Sequence, residues 1–76
     1  MKRVRLVSSM IAAAGYDPAT RVLELEFATG AVYQYSDVPL DVYRSLLDAP
    51  SRGRFFHSRI RGAFRCHRVA PEASAQ

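Results

Sequence analysis

The sequence predicts an α+β domain: a three-stranded antiparallel β-meander followed by two helices, with a short fourth strand at the C-terminal end. Two observations favour this fold class. Apolar and polar residues alternate in the first half of the chain, whereas after Pro39 the apolar residues recur every three or four positions. The chain has 76 residues, which is enough for one hydrophobic core and too few for two.

Three segments separated by turn residues predict the meander. Residues 9–15 form a weak strand of small side chains, which ends at an Asp-Pro pair that favours a type I turn. Residues 22–27 alternate strictly between apolar and polar side chains, and residues 31–35 follow after a glycine. These segments are short and consecutive, so we expect each strand to pair with the next.

The hairpin around Gly30 allows two registers. In a three-residue loop Gly30 is left-handed, and Leu25 lies opposite Tyr33. The next pair on the same face is then Leu23 and Tyr35. A two-residue loop would pair both tyrosines with glutamates, because a shift of one residue moves every side chain to the other face. We favour the three-residue loop, since glycine suits its last position.

A first helix is predicted between Pro39 and Pro50. Proline suits a first helical position, and Asp41 in the first turn interacts favourably with the helix dipole. Ser51, directly after the second proline, can cap a second helix. The apolar face of the first helix consists of Val42, Tyr43, Leu46 and Leu47.

In the second helix, Phe56, Ile60 and Phe64 lie four residues apart, the spacing of a buried face. Gly62 favours an end of the helix near that position. In that case residues 64–69 form a last strand that rejoins the sheet.

Charge is distributed unevenly along the chain. The sequence has 11 Lys and Arg against 7 Asp and Glu, a formal net charge of +4 and a pI of about 9.8. Residues 1–51 hold five basic and six acidic side chains, whereas residues 52–76 hold six arginines and one glutamate. Codon composition can explain arginine in place of lysine, but not the absence of acids from residues 49–71. Clustered arginine is typical of proteins that bind a phosphate backbone.

A helical wheel with about 100° per residue orders these arginines. It places Arg54 and Arg61 opposite the stripe that contains Phe56. Arg52 and Arg59 fall nearer the edge of that stripe. The predicted phosphate-binding residues are Arg52, Arg54, Arg59, Arg61 and Arg65. The alternative is a solvated helix face that keeps a basic protein soluble.

Aromatic residues are the second candidate element of a binding site. Tyr33 and Tyr35 would stack on unpaired bases if they were exposed, as aromatic side chains on sheets do in RNA recognition. The favoured register packs them in the core instead, with their hydroxyls at its rim. Tyr16, next to a predicted turn, is the ring that we expect to be exposed. Phe55 is expected to cover the sheet edge or to belong to an interface.

No metal site, cofactor site or catalytic site is predicted. His57, Cys66 and His67 are the only soft metal ligands, and neighbours on a strand point to opposite faces. No nucleophile and base come with an orienting group, so Cys66 is expected to pack as a small hydrophobic residue. Glu24 and Glu26 share one strand face, which we expect to meet solvent.

A cytoplasmic location without membrane contact is expected. A single cysteine suits a reducing compartment, and no apolar run approaches the roughly 18 residues of a membrane span. The apolar stretch after the basic N-terminus is too short for a signal peptide. A chain of this size buries only about 60% of its unfolded surface, so we expect a monomer or a weak homodimer.

One ordered set of residues carries a family resemblance: Ser8, Ser9, Ile11, Gly15, Tyr16, Asp17, Leu23, Phe27, Gly30, Tyr33, Gln34, Tyr35, Asp37, Val38, Pro39, Tyr43, Leu46, Ala49, Ser51, Arg52, Gly53, Phe55, Phe56, Ile60 and Arg61. This set resembles the KTSC domain, a module found at the C-terminus of some lysyl-tRNA synthetases and as small stand-alone bacterial proteins. The resemblance covers about residues 8–69, which leaves residues 1–7 as a basic lead-in and residues 70–76 as a disordered tail. Arg52 stands where lysine is more usual, and His57 where asparagine is.

The resemblance implies kinship and leaves the activity open, since the family has no established biochemical activity and RNA binding is the function suggested for it. We therefore expect a non-catalytic module that binds tRNA-like or single-stranded RNA through its arginine-rich helix. The alternative is a protein–protein interaction module whose arginines meet an acidic partner surface and whose anchor is Phe55.

Overall fold

The computed structural model describes residues 2–69. Five strands form one antiparallel sheet, in which each strand pairs with the preceding strand of the sequence. No helix within the described range is long and apolar enough to cross a membrane. The elements are β1 (Arg3–Arg5), β2 (Ile11–Asp17), β3 (Val22–Phe27), β4 (Val32–Tyr35), α1 (Leu40–Asp48), α2 (Arg52–Phe55), a π-helical turn (Phe56–Ile60) and β5 (Cys66–Val69).

The fold class is the predicted α+β, but the sheet is larger than the predicted meander with a short fourth strand. Residues 3–5, expected to lie ahead of the domain, form the edge strand β1 and pair with β2. The other edge is β5, which pairs with β4. Three residues are too few for alternation to reveal a strand, which is why the sequence pattern does not predict β1. The tail predicted for residues 70–76 lies outside the described residues.

The hairpin between β3 and β4 has the predicted register. Leu25 pairs with Tyr33, and Leu23 pairs with Tyr35. Gly30 has φ of +95°, the left-handed conformation that the three-residue loop requires. The tyrosines therefore lie on the same face of the sheet as the leucines.

Local hydrogen bonds support the predicted turn and the start of the second helix. In the turn after β2, Asp17 Oδ1 accepts the N–H of Ala19 at 3.0 Å. The Ser51 Oγ accepts the N–H of Arg54 at 3.3 Å and so caps α2. α2 then continues into the π-helical turn, which ends before Gly62, where φ is +78°.

The core lies between one face of the sheet and the helices. The ring of Phe56, 5% exposed, lies edge-to-face against Phe27 and Tyr35, with centroid distances of 5.3 and 6.0 Å. Edge-to-face pairs are a favourable arrangement of aromatic rings, and these two fix the second helix on β3 and β4. The buried cluster comprises Ile11, Ala14, Leu23, Leu25, Tyr35, Val38, Val42, Leu46, Phe56 and Ile60.

The opposite face of the sheet, which we call the polar face, is formed by Arg3, Arg5, Glu24, Glu26 and Gln34. Glu24 Oε2 accepts a hydrogen bond from Arg3 Nε, and its Oε1 accepts one from Gln34 Nε2 at 2.8 Å. We expected Glu24 to meet solvent, but it is only 6% exposed. The side chains of Arg3 and Gln34, on either side of Glu24, shield its carboxylate from solvent and donate hydrogen bonds to it.

Gly15 lies between Arg3 and Glu24 in the sheet and allows their side chains to form an ion pair across β2. The register aligns Arg3 with Gly15 and Gly15 with Glu24, so that one strand separates the two charged residues. Strands lie about 4.8 Å apart, so the backbones of the pair are about 10 Å apart. Because glycine has no side chain, the arginine can lie across β2, and Gly15 is buried as that arrangement requires.

These contacts hold Glu24 in its charged form. Burial alone would raise the pKa of Glu24, but the hydrogen bonds from Gln34 and Arg3 and the positive charge of Arg3 together lower it below the ordinary value of 4.5. The hydrogen bond to Glu24 likewise raises the pKa of Arg3. The folded state thus favours the carboxylate form of Glu24.

Arg3→Gln should lower the free energy of unfolding by about 1–3 kcal/mol, because the Glu24 carboxylate would stay buried without its charged donor. Arg5→Gln is the matched control on the same strand and face. Arg5 lies 4.0 Å from Glu26 and its side chain is 80% exposed, so its loss should change stability by less than about 0.5 kcal/mol. Urea denaturation followed by circular dichroism measures both. Equal losses would contradict the role given to Arg3.

The stability of the protein should also depend on pH through Glu24. Its pKa is lower in the folded than in the unfolded chain, so the carboxylate stabilises the fold above 4.5 and this contribution is lost as the pH falls through the folded pKa. Glu24→Gln is neutral at every pH and should flatten the acid limb of a plot of unfolding free energy against pH. Parallel curves for the two proteins would show that Glu24 does not contribute.

Candidate functional site

The structure separates the predicted arginines by exposure. Arg54, Arg59, Arg61 and Arg65 are exposed, whereas Arg52 is half-buried. A sixth arginine of this region, Arg68 on β5, is also exposed. Arg68 is not among the predicted phosphate-binding residues, although it belongs to the same acid-free arginine segment. We call the five exposed residues the basic surface: Arg54, Arg59, Arg61, Arg65 and Arg68.

Arg52 points into the fold. Its Nη2 donates a hydrogen bond to the carbonyl oxygen of Leu47 at 2.7 Å, in the last turn of α1. A cation there satisfies an unpaired carbonyl and interacts favourably with the helix dipole. Its Nε is buried, with no hydrogen-bond partner within the described residues. Arg52 therefore connects the two helices, and we do not include it in the basic surface.

The π-helical turn changes the position of Arg61. The N–H of Arg61 donates to the carbonyl oxygen of Phe56 at 2.8 Å, and the backbone of Arg61 is extended. A turn closed over five residues rotates less per residue than one closed over four, so an α-helical wheel misplaces Arg61 relative to Arg54. The Nη1 of Arg61 instead lies 3.4 Å from Nδ1 of His57.

Phe55 packs at the border of the hydrophobic core, and its ring contacts one arginine of the basic surface, Arg59. It is half-buried and packs against the core. The guanidinium carbon of Arg59 lies 5.4 Å from the centroid of the Phe55 ring, which is within the range of a cation–π contact. This contact orders an exposed side chain without neutralising its charge.

Two of the three candidate tyrosines are engaged within the fold. Tyr35 is 4% exposed, and burial above all raises its pKa to about 12. Tyr16, expected to be exposed, is half-buried: its ring stacks on Tyr43 at 5.2 Å, and its hydroxyl donates to the carbonyl oxygen of Val38 at 2.5 Å. Tyr43 lies on α1, far from Tyr16 in the sequence. The residues next to Tyr16 therefore do not predict this contact.

Tyr33 is the candidate tyrosine that borders an open groove. The groove has a volume of about 450 Å³ and is lined by Ser9, Met10, Phe27, Ala28, Thr29, Ala31 and Tyr33. The Tyr33 ring is half-buried and meets Phe27 edge-to-face at 5.9 Å. Arg68 lies directly opposite Tyr33 on the neighbouring strand, so the two side chains leave the same face of the sheet.

The charges of the basic surface are not paired by the described part of the chain. All three ion pairs found in residues 2–69 lie on the polar face and join Arg3 or Arg5 to Glu24 or Glu26. The sequence has no acidic residue between positions 49 and 71. The polar face and the basic surface therefore differ: the arginines of the polar face are paired, whereas those of the basic surface have no ion pair within the described residues and are available to an external anion.

The candidate metal ligands of the described residues are His57, Cys66 and His67. Across residues 2–69 no group of three His, Cys, Asp or Glu side chains is placed to hold a metal ion. Cys66 and His67 lie opposite Tyr35 and Gln34, on different faces of the sheet, as predicted. Cys66 is exposed rather than packed as expected, because β5 is an edge strand beyond the cover of the helices.

The two neighbouring arginines of α2 should differ in their effect on stability. Arg52→Gln removes the hydrogen bond to Leu47 and should lower the free energy of unfolding by about 1–2 kcal/mol. Arg54→Gln, the control two residues away on an exposed position, should change it by less than about 0.5 kcal/mol. Chemical denaturation measures both, and a greater loss with Arg54→Gln would reverse the assignment.

Comparison with known proteins identifies the family. A family model described as the KTSC domain matches residues 7–64. An uncharacterized protein of Stutzerimonas stutzeri is 51% identical over 57 residues, which are 75% of this chain and 80% of that protein. A lysine–tRNA ligase of a Nostoc species is 44% identical over 62 residues; these are 82% of this chain but 11% of the ligase.

The fold comparison agrees. The crystal structure of a KTSC domain protein from Yersinia pestis superposes with a TM-score of 0.89 at 39% sequence identity, covering 91% of this chain and 97% of that one. The chain therefore belongs to the KTSC domain family.

Proposed function

We propose that this KTSC domain is a non-catalytic module that binds RNA through the basic surface. The observation that carries the proposal is the unpaired charge of that surface. Five exposed arginines have no described carboxylate within ion-pair distance. A phosphate that binds them breaks no internal ion pair within the described residues.

Arginine is suited to this task by its shape as well as its charge. The planar guanidinium presents several N–H donors that match the oxygens of a phosphate group. Arg59 is already ordered on the Phe55 ring at 5.4 Å, which reduces the entropy lost when it binds. The arginines of the basic surface come from α2, the π-helical turn, the segment that follows the turn and β5, and each of them can contact a phosphate of a nucleic-acid strand.

The relatives support RNA as the polyanion. The ligase from the Nostoc species is named for joining lysine to tRNA, and it contains a segment that is 44% identical to this chain. A domain carried by a protein that acts on tRNA gains from an affinity for RNA, because the second contact then occurs at a high effective concentration. Without a second RNA contact in the same chain, a small stand-alone domain with this affinity would bind RNA only modestly.

RNA binding should show the salt dependence of phosphate contacts. Three contacts to a single strand predict a decline in affinity of about 20-fold between roughly 50 and 200 mM salt, since each contact releases counterions. Titration of labelled single-stranded RNA, a folded tRNA and a DNA duplex, followed by fluorescence anisotropy, measures this. No binding at the lower salt concentration would contradict the proposal, and equal binding to all three would reduce it to non-specific electrostatics.

A charge-matched pair of variants locates the site. Arg54→Gln with Arg61→Gln should weaken RNA binding and make its salt dependence less steep, by about 0.7 of slope for each phosphate of a single strand that the variant no longer binds. Arg5→Gln with Arg44→Gln removes the same charge from exposed positions outside the basic surface. If both double variants lose affinity equally, only net charge matters. If an acidic polypeptide binds the wild type as tightly as RNA does, an acidic protein partner is the better explanation.

A further inference from the structure

We propose that the groove beside Tyr33 receives one unpaired nucleobase of a single-stranded RNA, and that Arg68 holds a phosphate of the same strand. The inference rests on the proposed function and specifies which part of the RNA this end of the sheet recognises. The groove is separate from the arginines of the second helix, none of which lines it.

The aromatic walls of the groove are held in place before any ligand arrives. Phe27 meets Tyr33 at 5.9 Å and the buried Phe56 at 5.3 Å, both edge-to-face. The Tyr33 ring is therefore supported from behind and only half-buried. A volume of about 450 Å³ is within the range of about 300–1,000 Å³ typical of small-molecule sites, which is ample for a nucleobase.

Met10 fixes the side of the groove next to α2. A Cβ at position 53 would lie 3.4 Å from Sδ of Met10, so glycine there allows the helix to pack closely on the methionine. The N–H of Met10 donates to Oγ of Ser8 at 3.2 Å, which holds the backbone. The thioether thus forms a polarisable apolar wall of the groove.

The chemistry around the groove favours a nucleotide over an aliphatic side chain. None of the lining residues is acidic, and the exposed Ser9 and Thr29 provide hydroxyls at the rim. Arg68 is exposed on the strand beside Tyr33. A nucleobase uses the aromatic walls for stacking and the hydroxyls for its polar edge, and its phosphate meets the arginine. An aliphatic side chain would use the apolar walls alone.

The test compares a short oligouridylate with an abasic ribose-phosphate strand of the same length, which keeps the charges and lacks the bases. The wild type should bind oligouridylate between about 5- and 150-fold more tightly, the range expected for one stacked base. Tyr33→Leu should abolish this preference and leave the affinity for the abasic strand unchanged. Tyr33→Phe keeps the aromatic wall and should keep the preference.

Two further variants complete the test. Arg68→Gln should weaken binding of both strands by the same factor, because both carry the phosphate. Ala28→Leu fills the groove from its exposed rim without altering the core, and should act like Tyr33→Leu even if that variant folds poorly. Circular dichroism verifies the fold of each variant.

The inference is overturned if the wild type binds the two strands equally, or if Ala28→Leu leaves the preference intact. In either case RNA binding itself survives, so the basic surface keeps its proposed role. Failure of the wild type to bind any RNA at low salt overturns the proposed function and this inference together. Binding of an aliphatic peptide in the groove that RNA does not displace also overturns it.

Discussion

The ring of Phe56 joins the two layers of the molecule. It comes from the first residue of the π-helical turn and lies edge-to-face on Phe27 of β3 and Tyr35 of β4. Together with the fully buried Ile60, Phe56 fixes the second helix against the sheet and so influences where the arginines before and after it emerge. The same contact supports Phe27 behind the groove. The binding surfaces proposed above are thus consequences of how one aromatic residue packs.

Local signals were sufficient to predict much of this fold. The register of the β3–β4 hairpin followed from Gly30, and the buried face of the second helix followed from the spacing of Phe56 and Ile60. β1 and its ion pair were not predictable in the same way, because Arg3 and Glu24 are 21 residues apart in sequence. The pair depends on Gly15 in the strand between them, and no periodic pattern reports such a three-strand arrangement.

The candidate site was predicted by composition and altered by geometry. The acid-free arginine segment was visible in the sequence, and four of its five predicted arginines are exposed. The wheel assumed an α-helix as far as Arg61, whereas a π-helical turn changes the rotation after Phe56. Arg52 is half-buried rather than exposed, because its partner, the carbonyl of Leu47, becomes available only where α1 ends. The groove at Tyr33 is lined by residues before β2 and by residues of the β3–β4 hairpin. These segments come together only in the folded sheet, so the sequence pattern does not predict the groove.

The pairing of Arg3 with Glu24 also affects how the whole molecule would meet a partner. It neutralises charge on one side of the sheet, while Asp17, Asp37, Asp41 and Asp48 all precede the acid-free segment that carries the basic surface. A protein whose positive and negative charges are distributed unevenly in space has a permanent dipole moment. In the field of a polyanion such a molecule rotates before contact, so a larger share of encounters begins in the productive orientation, most strongly at low ionic strength.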